Sequence, residues 1–190
     1  MQFQQTHRPA NALLLPIVIA GVVLAAVAAG IYFHSPHTPA TVALTQMKIV
    51  PTKVTYSNDS NTLKILGKTD ADENTLFVVA TVKVHNNLDT PLSLKNYTAK
   101  LTTAEGAELE TSASEKDDAP AVFTAFPEVR AAAANGKLLL RDSEVPAKGD
   151  LEGILLLGFK DATQATWDKR KSAEVAVAPY HMDAVKAELK

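Results

Sequence analysis

The chain has 190 residues, with 19 basic and 21 acidic side chains and no cysteine. This composition excludes collagen, a coiled-coil array and a wholly disordered chain. The lack of cysteine also excludes a disulfide framework, a thiolate zinc site and a cysteine nucleophile. All acidic residues and 18 of the basic ones follow residue 47, so that part carries 18 − 21 = −3 and offers no basic face for nucleic acid.

An uncharged segment near the N-terminus predicts a transmembrane helix. Residues 12–33, from Ala12 to Phe33, form a run of 22 residues without a charge. As a helix this run is roughly 33 Å long, enough to cross the hydrocarbon core of a bilayer. Arg8 is the only basic residue before Lys48, so the positive-inside rule places residues 1–11 in the cytoplasm. The remainder of the chain is then expected outside the inner membrane, on a single-pass anchor.

A cleaved signal peptide is the alternative interpretation of the same segment. Ala26-Val27-Ala28 has the small-x-small form of a cleavage site and follows an apolar core. The apolar run continues as far as Phe33, which favours a retained anchor. Both interpretations export the same domain.

Small residues recur at every fourth position of the apolar segment. Gly21, Ala25 and Ala29 would share one face of a helix and would let a second transmembrane helix approach closely. We therefore predict these three residues as a helix-packing face. The alternative is that alanine and glycine are simply frequent in such helices.

The rest of the chain has the patterning of a β protein. Residues 34–45 are uncharged and contain two prolines, which predicts an extended linker. From residue 46 to 180, apolar and polar residues alternate in about seven short segments separated by turn signals, as in a two-sheet sandwich. The segment Leu151–Phe159 is apolar on both faces, which predicts a central strand. Residues 181–190 are predicted to form a frayed helical tail.

Several local features are also predicted within this region. They are a turn at 86–91, a bulge at Lys95-Asn96, a hairpin loop at 104–106, a short helix at 126–134, a short strand at 138–140, a turn at 146–149 and a helical stretch at 163–171.

Three sequence segments resemble the telokin-like, immunoglobulin-type domains that bacteria export. They are FVVATVKVHNN, KLTTAEGAELE, and VPAKG followed by LEGILLLGF. In that group an N-terminal anchor commonly precedes a strand ending in Asn, and a Pro-x-x-Gly turn precedes a strand that begins with a Glu-Gly-like pair. The matching positions here are Asn86 and Asn87, Pro146 to Gly149, and Glu152-Gly153. The resemblance covers Gln46 to Tyr180 and implies an immunoglobulin-like sandwich, but it implies no site. The helical stretches at 128–136 and 163–171 depart from the pattern.

Sequence signatures of catalysis are missing. The chain has no G-x-S-x-G, no H-E-x-x-H, no Walker loop and no glycine-rich dinucleotide turn. We therefore expect no enzyme, and we assign no catalytic residue, no cofactor and no metal site. The acidic stretch Asp70–Asn74 resembles half of a calcium loop, but Thr75 and Thr81 replace the glycine and the bidentate glutamate that such a loop needs. It is predicted to be a solvated turn.

The densest basic cluster lies beside the only tryptophan. Trp167, Lys169, Arg170 and Lys171 are predicted as an interaction cluster for an acidic partner or for lipid headgroups. The alternative is that Trp167 caps one end of the sandwich and the basic side chains are solvated.

These observations predict a membrane-anchored module of the cell envelope. The expected role is protein interaction, as an accessory to another envelope protein. The alternative is an envelope domain that binds a ligand or a metal through His85, His181 or the acidic turn.

Overall fold

The computed structural model describes residues 14–34, 38–56, 71–134 and 136–190. The chain divides into two units, residues Met1–His37 and Thr38–Lys190. The described part of the first unit is one helix, α1 (Leu14–His34). The strands of the second unit are β1 (Ala40–Tyr56), β2 (Ala71–Asn86), β3 (Leu92–Thr102), β4 (Glu108–Ser112), β5 (Glu144–Val145), β6 (Asp150–Lys160), β7 (Ser172–Pro179) and β8 (Val185–Glu188). Its helices are α2 (Ala119–Ala125), α3 (Pro127–Ala133) and α4 (Gln164–Asp168).

The helix α1 carries exposed apolar side chains. It has 21 residues, none of which is Asp, Glu, Lys or Arg. Its side chains are described for residues 16–32, and all of them are exposed, including Ile17 at 65% and Leu24 at 69%. Within the described residues, no helix is both long and apolar enough to cross a membrane.

The strands of the second unit form two antiparallel sheets. The first sheet has the order β1-β2-β6. The second has the order β4-β3-β7-β8, and β5 pairs with β3. This arrangement is consistent with the predicted β-sandwich.

The main hydrophobic core contains side chains from both sheets. Alternate residues of β2 and β6 point into it, among them Val78, Val82, Leu155 and Leu157, and all four are fully buried. The second sheet contributes Leu101 and its neighbours on β3 and β7. The period of two residues therefore predicts the inward face of these strands correctly.

The opposite face of β2 and β6 is also apolar, and α2 and α3 cover it. Phe77, Val79, Ile154 and Leu156 pack there against the two helices in a second hydrophobic cluster. The prediction that the apolar strand is central needs correction. In the described residues, β6 pairs with β2 on one side and forms only isolated bridges on the other. Its second apolar face is explained by the helices above it.

The predicted linker is shorter than residues 34–45, since β1 begins at Ala40. Ala40 pairs with Asn86, and the β1–β2 ladder continues with one bulge between Leu44 and Gln46. Ala40, Val42 and Leu44 alternate toward the core, with Ala40 buried and the other two half-buried. The sandwich thus starts before residue 46. The lack of charge in this segment was interpreted as the mark of a linker. The half-buried positions of an edge strand can also be uncharged, so the lack of charge did not distinguish a linker from a strand.

The segment 181–190, predicted as a helical tail, contains a strand instead, β8 (Val185–Glu188). β8 pairs antiparallel with β7, and the amide of Leu189 donates to the carbonyl of Ala173. Val185, Ala187 and Leu189 share one face, and Leu189 is fully buried. The alternation was present in the sequence but too short to identify without the neighbouring strand.

The remaining local predictions have mixed outcomes. The bulge is confirmed by the register shift between Leu94 and Asn96, and the hairpin loop by Gly106, whose φ is 92°. Helices α3 and α4 are confirmed, whereas α2 was not predicted. The predicted strand at 138–140 is one bridge, from Leu138 to Ile154. A Cβ on Gly153 would lie 2.7 Å from the carbonyl oxygen of Lys137, so this glycine allows the segment to approach β6.

Candidate functional site

The two ends of the sandwich carry different side chains. We call the end at which β1 begins the proximal end. There Ala40 pairs with Asn86, and Leu92 pairs with Val145. At the distal end Thr102 pairs with Ser172. β3 joins the two ends and is 11 residues long, roughly 37 Å at the usual rise of a strand.

The predicted interaction cluster lies at the distal end, and two of its members take part in packing. Trp167 is 4% exposed and belongs to the main core, with its ring 6.5 Å from that of Phe159. The guanidinium carbon of Arg170 lies 4.1 Å from the centre of the Trp167 ring. Arg170 also donates to the carbonyl of Trp167 at 2.9 Å and to that of Leu189 at 3.1 Å. Arg170 therefore ties the end of the C-terminal segment to α4.

Lys169 and Lys171 are the exposed members of the cluster, and they face an acidic group. The pKa of Glu105 is lowered, first by its own backbone N–H and next by the hydroxyl of Thr103. The two lysines lower it further. A shallow cavity of about 210 Å³ lies between Lys169 and the β3–β4 loop, lined mainly by threonine and alanine.

The distal end as described is therefore not a continuous basic surface. Glu105 interacts with Lys169 and Lys171, Asp168 directly precedes Lys169, and Trp167 contributes no exposed ring. Lys169 and Lys171 remain the groups in the predicted cluster that a partner can reach.

A second charged group lies near the proximal end, on the outer face of β2 and β6. Asp150 accepts from Lys83 Nζ at 2.9 Å and contacts His85 Nδ1 at 2.8 Å. The hydrogen bond from Lys83 is the main cause that lowers the pKa of Asp150, and His85 adds to the effect. The same bond raises the pKa of Lys83. Asp150 thus joins two adjacent strands electrostatically.

The His85–Asp150 pair has the form of an oriented imidazole. Thr41 lies opposite His85 on β1, so a hydroxyl, an imidazole and a carboxylate stand in one row across the sheet. The row lies on an open sheet surface, and the side chains of His85 and Asp150 are 43% and 45% exposed.

Sequence reasoning named His85 as a candidate ligand residue but missed its carboxylate partner. Asp150 is 65 positions away and meets His85 only through the β2–β6 register. The sequence did contain one signal of this charged group. Lys83 and His85 are two residues apart and therefore share a face of β2, and Asp150 is an acidic residue at the start of β6.

Asn86 holds the proximal end together from inside. Its side chain is fully buried, and its amide nitrogen donates to the carbonyls of Thr90, Val145 and Pro146 at 2.8, 3.2 and 3.0 Å. Its carbonyl oxygen accepts from the amide of Leu88 at 2.9 Å. One side chain therefore connects the 86–91 turn to the segment before β6. Asn86 is one of the positions that carry the resemblance to exported immunoglobulin-type domains.

The stretch predicted as an acidic turn is largely strand. Asp70 lies outside the described residues, and so does His37 of the predicted linker. Asp72, Glu73 and Asn74 belong to β2 and pair with residues 53–55 of β1. In the described ranges, no group of three or more His, Asp or Glu side chains is placed to hold a metal ion.

The predicted helix-packing face lies on α1. Gly21, Ala25 and Ala29 are all exposed, and a Cβ on Gly21 would meet no described atom within 4 Å other than those of its chain neighbours and the backbone of its own helix. Contact between this face and another helix stays a prediction.

The comparisons with protein-family models and with curated proteins give no relative for this chain. No protein-family model matches it, and no curated protein is significantly similar to it. What can be stated of its class is therefore structural: the second unit is a two-sheet antiparallel β domain with a helical insertion on one face.

Proposed function

We propose that the chain is an envelope protein in which residues 12–33 cross the inner membrane and the β domain lies outside the cytoplasm. The β domain acts there as a protein-interaction or accessory module for another envelope protein. We also infer that the sandwich is of the immunoglobulin type.

The observation that carries the proposal is the apolar surface of α1. Large apolar side chains that include Ile17, Val22 and Ile31 are each more than 60% exposed along this uncharged helix. Exposed apolar surface of this extent is unfavourable in water and favourable in a bilayer. The proposal uses the whole run of residues 12–33, and the described side chains cover residues 16–32 of it.

The surface of the β domain supports an interaction role through polar contacts. Among the described side chains of the β domain, Met182 is the one large apolar residue that is exposed. The outer face of the second sheet carries ion pairs such as Lys100–Glu108 at 2.6 Å and Lys186–Glu174 at 2.7 Å. Such a surface suits a domain that is held near a partner by its anchor and contacts that partner reversibly.

The inference of an immunoglobulin-type sandwich rests on Asn86 and the turn at 146–149, which are two of the features that resemble exported immunoglobulin-type domains. The turn is closed by a hydrogen bond from the amide of Gly149 to the carbonyl of Pro146. The side chain of Asn86 bonds to the same carbonyl. The two sequence features that carry the resemblance therefore meet at one carbonyl oxygen.

The test is extraction of the full chain from native membranes in mild detergent, followed by mass measurement of the complex. We expect a second protein in stoichiometric amount. If the partner includes a transmembrane helix on the predicted face, Gly21→Leu should reduce its recovery severalfold. Val23→Leu, on the other side of α1, is the matched control and should leave recovery unchanged. A monomer that carries a stoichiometric metal in elemental analysis would contradict the proposal and support the ligand-binding alternative.

A further inference from the structure

Residues 119–133, which contain the helices α2 and α3 and which we term the cover, bury a cluster that is separate from the main core. Ala119, Val129 and Ala133 of the cover are buried against the outer face of β2 and β6. The main core between the sheets contains no residue of the cover. Removing the cover would therefore leave every contact between the two sheets in place.

The cover has little stability of its own. Each helix has seven residues, and neither has a side-chain hydrogen bond at its N-cap. Helices shorter than about 12–15 residues are marginal in water without tertiary contacts. The cover is therefore helical because it packs on the sheet, as in the contact of the Phe126 ring with that of Phe77 at 5.3 Å.

The segment that contains the cover is tied to β6 at both of its ends. The amide of Ser114 donates to the carbonyl of Leu156 before the cover, and the amide of Ile154 donates to the carbonyl of Lys137 after it. Between these ties, Lys48 of β1 donates from Nζ to the carbonyl of Ala132 at 3.2 Å. A cation at the C-terminal end of a helix is favourable, so Lys48 acts as a latch for α3.

We propose that the cover opens as one unit while both sheets stay folded, and that Lys48 controls how often it opens. Opening uncovers an apolar strip made of Phe77, Val79, Ile154 and Leu156. In the closed domain these four side chains are at most 6% exposed. The fold thus holds in reserve an apolar surface that the closed domain does not present.

The test uses adjacent residues on opposite faces of β2. Val79 lies beneath the cover, whereas Val78 lies between the sheets. Because the chain has no cysteine, Val79→Cys and Val78→Cys each introduce a single thiol. We expect a small alkylating reagent to label the Val79→Cys chain at least tenfold faster under native conditions, since local opening is more frequent than global unfolding.

The latch is tested in both cysteine backgrounds. Lys48→Met removes the donor but keeps an apolar stem, and loss of a bond from a charged group should speed labelling of Val79→Cys by about tenfold or more. Labelling of Val78→Cys should not change. Lys160→Met, which removes an exposed lysine from the end of β6, is the control and should change neither rate.

Hydrogen exchange of the unsubstituted chain gives an independent measurement that no folding defect can affect. We expect the amides of Phe126 and Arg130, both bonded within the cover, to exchange faster than those of β2 and with a weaker dependence on denaturant. Equal labelling of the two cysteine variants would overturn the proposal, and so would equal protection of cover and sheet. A Lys48→Met chain that labels like its parent would overturn the role of the latch.

Discussion

Replacing Leu157 with alanine is expected to lower the free energy of unfolding by about 2–5 kcal/mol. Leu157 is 0% exposed, pairs with Val78 across β2 and β6, and lies in the core between the sheets. Its truncation loses transfer free energy and leaves a cavity, because the surrounding strands cannot relax fully. A typical domain has a total stability of only about 5–15 kcal/mol, so the loss is a large fraction of it.

Lys83→Ala is the matched substitution for Leu157→Ala. Lys83 lies on the outer face of β2 and is exposed, and its ion pair with Asp150 is about 45% exposed on both sides. Its removal should shift the urea midpoint far less than Leu157→Ala does, because surface ion pairs contribute little to stability. Urea unfolding can be followed by fluorescence of Trp167, the only tryptophan, which is buried in the main core. Equal midpoints for the two variants would show that the register of β2 or β6 is wrong.

Replacing Asn86 with alanine is expected to destabilise the domain by about 3 kcal/mol or more. The substitution removes a donor from the carbonyls of Thr90 and Val145 and the acceptor of the Leu88 amide, whereas the carbonyl of Pro146 keeps its bond from the Gly149 amide. Each buried polar group left without a partner costs about 1–3 kcal/mol. Since water cannot reach a fully buried site without rearrangement of the turn, the costs should accumulate there.

Asn87→Ala separates this effect from a general sensitivity of the turn. Asn87 is the next residue and makes one side-chain hydrogen bond in the described structure, from Nδ2 to the carbonyl of Thr38 at an exposed site. Its loss should cost about 0.5–1.5 kcal/mol. Similar urea midpoints for the Asn86 and Asn87 variants would contradict the role given to the buried amide.

Much of the β domain could be predicted from the sequence because its strands alternate strictly. The inward face of β2 and β6, the bulge before Asn96 and the hairpin at Gly106 each follow from local residues and turn chemistry. These features depend on near neighbours in the chain, so a pattern of a few residues is sufficient to indicate them.

The elements that sequence reasoning missed depend on distant partners. The start of β1 and the strand β8 are short apolar alternations that become strands only because β2 and β7 supply hydrogen bonds. The helix α2 forms on the apolar outer face of β2 and β6. The sequence pattern indicated the apolar outer face of β6, but we interpreted it as the property of a central strand.

The candidate site was predictable only in part, for the same reason. The exposure of Lys169 and Lys171 follows from local charge density. The use of Trp167 and Arg170 in packing does not, because Arg170 binds the carbonyl of Leu189, 19 residues away. The Lys83–His85–Asp150 group likewise depends on the register between β2 and β6.

The most direct test of the central claim is the location of the C-terminus. A phosphatase that is active only outside the cytoplasm, fused after Lys190, should be active in the full chain and inactive when residues 1–33 are deleted. A fluorescent protein that matures only in the cytoplasm should give the opposite pattern at the same position. A phosphatase fusion of the full chain that is inactive, together with a fluorescent fusion that is bright, would contradict an extracytoplasmic β domain on an N-terminal anchor.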